Sequence, residues 1–275
     1  MTDMSELAAV IANHKCCLFA GSGLTASSGG ATWGELISYL KTKFGYTSPL
    51  KDNFQILGDL GRKVGPEILY EAIKNRLTNI IIKPPLSELM ALQWFTVFTT
   101  NYDVALENSL REHNPLTVRS IVTGHEFTLA GVQSELLCVK LMGSLEISYN
   151  QQGSMVINLG DLASARELRA RIFDQLASHA AYLSFLFIGY SFDDGIFLET
   201  LERLIKAIGT PANTYYALFR EAPDEEHLYL LNQYGVKVII NDLPDFAKDL
   251  SREVRLRDPK DLTLKRIPGT VNIIV

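Results

Sequence analysis

The sequence predicts an α/β fold on a mostly parallel sheet, with helices on both faces and a helical insertion. Short apolar runs at Cys16–Ala20, Thr96–Thr100 and Leu183–Tyr190 each lead into polar or glycine-rich residues and then a helical pattern, which reads as strand, loop and helix in alternation. Further runs at Leu136–Leu141, Met155–Asn158, Tyr215–Phe219 and Val236–Ile240 bring the sheet to six or seven strands. The stretch from Trp33 to Trp94 is longer than a single crossover helix needs. Its helical spacing at Leu36, Ile37, Leu40 and Phe44, and again at Ile68, Leu69, Ile73 and Leu77, predicts an insertion or cap. Breaks are expected at Thr47–Pro49, Gly65–Pro66 and Pro84–Pro85. The expected organisation is a single domain over residues 1–275 with the insertion at about 33–94. The tail Thr263–Val275 reads as an edge strand or as a contact for another subunit.

Bulk properties narrow the function classes. With 47% hydrophobic residues the chain can bury a large core, and a formal net charge of −5 gives no general attraction to a phosphate backbone, so direct nucleic-acid binding is not expected. Met1–Val10 lacks a basic segment followed by a long apolar run, and runs such as Leu183–Ile188 are too short to span a bilayer. A soluble, cytoplasmic protein without membrane contact is expected. Cys16, Cys17 and Cys138 are the only cysteines, two of them adjacent within an apolar run; no disulfide framework or four-cysteine zinc site follows, and no metal is expected.

The segment Leu18-Phe19-Ala20-Gly21-Ser22-Gly23-Leu24-Thr25 ends a buried strand in small residues, which lets main-chain amides approach a diphosphate, as in a Rossmann-like dinucleotide site. A Gly-x-Gly turn alone is equally a tight connection. Its neighbours add weight. Gly21 to Gly29, followed by Ala31-Thr32-Trp33, resembles the Gly-Ala-Gly-x-Ser opening of sirtuin-like domains. Phe98-Thr99-Thr100-Asn101-Tyr102-Asp103 is similar to that family's Thr-Thr-Asn-Tyr-Asp motif, and Leu186 to Asp194 is similar to its late Gly-Tyr-Ser motif. These matches extend over about Cys16 to Ile240. Lacking paired cysteines for a zinc ribbon, the chain resembles the bacterial antiphage-defence NAD hydrolase branch, in which a helical cap replaces the ribbon.

The resemblance implies binding and hydrolysis of NAD to nicotinamide and ADP-ribose. Such cleavage passes through an oxocarbenium-like transition state, so the protein must hold the leaving group and direct a water to the sugar carbon. By resemblance, Asn101 positions the nicotinamide ribose and the water; its other reading is a cap for the helix starting near Asp103. Asp103 is expected to cap that helix or brace the loop, because an exposed Asp, titrating near ~3.9, is a poor base at neutrality. Ser22, Gly23 and Thr25 are candidates for diphosphate or ribose contacts, with Gly21 opening the loop. Gly189 and Ser191 are candidates for the adenosine side, and Asp193 and Asp194 for contacts there or for the start of the next helix.

One departure limits the implied activity. The family usually carries a His-Gly-Ser motif whose histidine serves as base, whereas here the run is Leu141-Met142-Gly143-Ser144. A thioether has no proton to give and no useful capacity to take one. Gly143-Ser144 still suits close approach of backbone to ligand. Three explanations stand: a natural NAD-binding pseudoenzyme, an engineered inactive form, or an enzyme whose base has moved, with His125 and Glu146 nearest in sequence.

The leading reading is therefore an NAD hydrolase impaired by Met142, and the second a non-catalytic NAD- or ADP-ribose-binding module that adjusts assembly. An ordinary dehydrogenase fits less well, because no acidic residue stands at a second strand end about 20 residues past the glycine loop. Analogy with the family adds a homo-oligomer and a separate activator, such as a HerA-type ATPase. Restoring the base by Met142→His should raise NAD hydrolysis by roughly a hundredfold or more, measured as nicotinamide release; an unchanged rate would argue against placing this residue at the ribose.

Overall fold

A computed structural model describes residues 2–122, 135–163, 165–167, 170, 172, 182–190, 202 and 214–257. Seven strands form one sheet: β1 (Cys16–Ala20), β2 (Val97–Thr99), β3 (Thr117–Ile121), β4 (Glu135–Lys140), β5 (Ser184–Ile188), β6 (Tyr215–Phe219) and β7 (Val236–Ile240). Their order is β3-β4-β2-β1-β5-β6-β7, and every adjacent pair is parallel. This is the expected Rossmann-like α/β architecture. The central strands are apolar because both of their faces are covered: every residue of β1, β2 and β5 is buried. At the rims, β3 and β7 keep mostly half-buried residues.

The helices are α1 (Thr2–Ala12), α2 (Ser22–Ala26), α3 (Trp33–Lys43), α4 (Asn53–Val64), α5 (Pro66–Arg76), α6 (Leu86–Met90), α7 (Ala105–His113), α8 (Glu225–Gln233) and α9 (Leu243–Arg255). In turn, α1 packs on α9, α9 on α6 and α6 on α7. The Trp33–Trp94 stretch is helical, holding α3 to α6, with its breaks where the sequence puts them. Thr32 and Glu35 form a reciprocal capping box that starts α3, and the Asp52 carboxylate accepts from the Gln55 N–H to start α4. Gly65, at φ +97°, separates α4 from α5, and Pro66 sits in the first turn of α5, where no intrahelical donor is needed. Leu36, Ile37 and Leu40 bury the inner face of α3, and Leu69 and Ile73 that of α5; Ile68 departs from the expected set and is 58% exposed.

Two expectations about strands need correction. Thr117–Ile121 forms an edge strand that hydrophobic patterning does not reveal, since only Ile121 within it is fully buried. Met155–Asn158 forms no strand. Its amides are taken by loop partners: Met155 N–H donates to Tyr70 Oη, Val156 N–H to Met142 O, and Ile157 N–H to the Asp161 carboxylate. The apolar run Met155–Ile157 is buried because it packs beneath other elements, and no ladder draws it into the sheet. The Thr263–Val275 tail lies outside the described residues.

The sheet positions the site through its topology. From β1 the chain goes to β2, β3 and β4 on one side, then returns to place β5 on the other. A parallel sheet opens a crevice at the C-terminal strand ends where the connections diverge, here between β1 and β5. Nearby, Gly143 sits at φ +81°, where any Cβ would overlap the Ser154 carbonyl oxygen. Gly143→Ala should cost about 2 kcal/mol or more. Gly34→Ala, on the exposed side of α3 with open space around it, should be neutral or stabilising by about 0.5–1 kcal/mol. Urea denaturation of the two variants checks the contrast, and equal effects would contradict it.

Candidate functional site

The turn leaving β1 is held against the end of β5 through main chain alone. Gly21 N–H donates to Ile188 O at 2.8 Å and Gly23 N–H to Gly189 O at 3.0 Å, while Leu24 N–H donates to Gly21 O at 3.1 Å. A Cβ on Gly21, Gly23 or Gly189 would drive into the opposing backbone, and Gly189 also adopts φ +78°. These three glycines are thus required by the meeting of the two turns. The amides of Gly21, Gly23 and Leu24 are engaged within the protein; that of Ser22, at the first position of α2, has no partner among the described residues.

Above this junction lies a crevice of about 810 Å³, bordered by Ser22, Gly23, Trp33, Gly189, Tyr190, Arg220 and Asp242 among others. Its size suits a ligand larger than a metabolite fragment. Ser22 and Trp33 also border a recess of only about 50 Å³, walled by Phe54, Asn101, Tyr102, Asp103 and Met142. Trp33 lies 5.4 Å from the Phe54 ring and edge-on to Tyr102 at 5.9 Å, so an aromatic cluster forms part of the recess wall. A further cavity of about 570 Å³ lies between α4 and residues 157–160 and shares Phe54 with the recess.

Asn101 lines the recess and is 5% exposed. Strand β2 delivers it: Thr99 Oγ1 donates to Ala20 O at 2.8 Å and accepts from Asn101 N–H at 3.0 Å. The Asn101 amide group donates to Gly21 O and to Thr25 Oγ1, both at 3.3 Å, and its Oδ1 has no hydrogen-bond partner among the described residues. A buried acceptor left open inside a pocket is uncommon. The helix-capping alternative goes to a neighbour, because Asp103 Oδ1 accepts the Ala105 N–H at the start of α7.

Asp103 braces the loop as expected but is buried, at 3% exposure, where an exposed carboxylate was anticipated. Its Oδ2 accepts from Thr25 Oγ1 at 3.3 Å. Burial pushes its carboxyl above the usual Asp value; the Lys140 ammonium and the bonds from Ala105 and Thr25 pull it down, and Glu107 pushes it up. Thr25 is fully buried between Asn101 and Asp103 and borders neither crevice nor recess. Met142 does border the recess, at 1% exposure. Gly143 and Ser144 border neither space: the need for glycine at 143 comes from the Ser154 carbonyl, and Ser144 Oγ accepts the Glu146 N–H. Glu146 itself is exposed and away from the recess. Ser191, His125, Asp193 and Asp194 lie outside the described residues.

Three participants escaped the sequence reading. Lys140 and Glu107 form a buried ion pair at 2.6 Å beneath Asp103. Tyr70 of α5 donates to Ile147 O at 2.5 Å, pinning the loop that follows Met142. A lysine inside the apolar run Leu136–Leu141 was the available signal for the first. Among the described residues no cluster of three or more His, Cys, Asp or Glu is arranged for a metal, and no helix is long and apolar enough to cross a membrane.

The all-parallel seven-stranded sheet with helices is a Rossmann-like α/β fold, with a crevice and a recess beside its central strands. Residues 96–239, just over half of the chain, match the family model described as SIR2-like domain, and the chain belongs to that family. It is similar to proteins named NAD(+) hydrolase ThsA: 24% identical over 84% of this chain to that of Cytobacillus dafuensis, 22% over 88% to that of Bacillus cereus, and 23% over 86% to that of Enterococcus faecium. The aligned part is 46%, 54% and 52% of those proteins, so the chain spans about half their length.

The raised Asp103 carboxyl has a stability consequence of defined sign. The folded state holds that proton more tightly, so its contribution is complete below the ordinary Asp value of ~3.9 and is lost as pH rises through the folded value. Asp103→Asn should remove this decline, giving a flatter stability profile above about pH 4 in urea denaturation at stepped pH. Parallel profiles for the two proteins would contradict the assignment.

Proposed function

We propose that this chain is the NAD-binding, NAD hydrolase-type domain of a SIR2-like protein, releasing nicotinamide and ADP-ribose, with turnover reduced by Met142. The observation that carries the reading is the unpartnered, buried Oδ1 of Asn101, a residue that lines the recess beside the crevice. The names of the relatives support it, although they describe proteins about twice as long. A role in antiphage defence, self-assembly and a separate activator belong to the same proposal and rest on the resemblance alone.

The residues present fit the ligand. Ser22 offers an open amide at the start of α2 and a hydroxyl in the crevice, and Gly23 and Gly189 add no side chain to obstruct a diphosphate. Asn101 Oδ1 accepts from a ribose hydroxyl or from a water held at the sugar carbon. Trp33, Phe54 and Tyr102 give the recess an apolar wall. The bound dinucleotide itself supplies the reactive bond, whose pyridinium end is already a good leaving group.

The second reading, a non-catalytic NAD- or ADP-ribose-binding module, is favoured by Met142, which puts a thioether in the recess where the family carries its base. Calorimetric titration with NAD and with ADP-ribose, followed by product analysis, separates the two. Saturable binding with nicotinamide release supports the hydrolase, and binding without products supports the module. Absence of binding by both ligands overturns both readings. Asn101→Ala should weaken NAD binding about tenfold, the worth of one hydrogen bond.

A further inference from the structure

The buried ion pair beneath the site is poorly explained by stability. Two charges removed from water lose hydration that their mutual attraction only partly returns, and well-packed apolar replacements commonly do as well. Yet Lys140 closes β4 and Glu107 lies in the first turn of α7, both almost wholly buried. The placement of the lysine offers another explanation. Its Nζ is 2.6 Å from Glu107 Oε1 and donates at 2.6 Å to the main-chain carbonyl of Asp103, so the pair grips the loop that carries Asn101 from below.

From that point hydrogen-bond direction is forced step by step. The neighbours of Thr25 Oγ1 other than Asn101 are Asp103 Oδ2 and Ser22 O, both acceptors, so the single hydroxyl proton points to one of them. With its proton so given, Thr25 meets Asn101 as an acceptor. Gly21 O is an acceptor as well, so Asn101 must turn its NH₂ toward both. Its Oδ1 is then the atom left buried without a partner, in a residue that lines the recess.

We infer that Lys140, Glu107 and Thr25 are positioning residues that hold the Asn101 amide in one orientation, so that the recess presents a hydrogen-bond acceptor and selects a ligand hydroxyl or water that donates. This deepens the proposed function and rests on it for the identity of the ligand; the orientation of Asn101 is measurable without any ligand.

Two sets of variants test it. The double variant Lys140→Met/Glu107→Leu removes both charges together and leaves Asp103 O without its donor; it should fold with a Tm within about 4 °C of the parent. Thr25→Val keeps the shape and removes the hydroxyl, and Thr25→Ser restores it. The direct readout is NMR of the Asn101 side-chain amide, identified by its disappearance in Asn101→Asp. Exchange of its protons with solvent should speed up at least about tenfold in the double variant and in Thr25→Val, and return toward the parent rate in Thr25→Ser. NAD affinity should follow, falling about tenfold in the first two and recovering in the third.

Parent-like amide exchange in Thr25→Val and in a folded double variant would overturn the inference. Should the double variant fail to fold, the Thr25 pair decides by itself: loss with Val and recovery with Ser supports it, and no difference between them overturns it. If the parent protein binds no NAD, the proposed function falls, and the amide signal alone judges the positioning.

Discussion

The close meeting of two main-chain turns, Gly21-Ser22-Gly23 after β1 and Gly189 after β5, is the constraint on which the site depends. No side chain can stand between them, so the two central strands end at a fixed separation. That junction also sets Gly21 O, which receives the Asn101 amide, and places Ser22, the first residue of α2, on the border of the crevice. Glycine at these positions is often credited to the approach of a phosphate. Here protein packing already requires it, and any room for a ligand comes second.

Around this junction the polar groups form a one-way series. An ion pair holds a carbonyl, a hydroxyl donates to a carboxylate or a carbonyl and accepts from an amide, and the oxygen of that amide is left without a partner. Burial gives the series its force, because an unmet donor or acceptor in a low-dielectric interior is costly. The surroundings are aromatic and closely packed, which leaves few competing arrangements.

Much of the sheet could be read in the sequence, since β1, β2, β4 and β5 are buried on both faces and had to be continuous apolar runs. The edge strand β3 could not: only Ile121 within Thr117–Ile121 is fully buried, so the segment carries no apolar run, and its place is set by its pairing with β4. Met155–Asn158 had the composition of a strand, but hydrophobicity reports burial and says nothing of where the amides find partners. At the site, Asn101 and the glycine turn were legible as local motifs. The burial of Asp103 and the bridging place of Thr25 were not, because they arise from a contact between residues 78 positions apart.

The helical segment between β1 and β2 does more than enclose the recess. The Tyr70 hydroxyl reaches from α5 to Ile147 O and receives the Met155 N–H, so one oxygen atom ties down both arms of the excursion that follows β4. That excursion has main-chain bonds of its own, such as Ser144 N–H to Gly153 O and Val156 N–H to Met142 O, and the helix more than seventy residues earlier adds a clamp across it. The two segments therefore form an inseparable pair: a chimera that exchanged the helices without the excursion would strand main-chain groups in the interior, and divergence at one must be matched at the other.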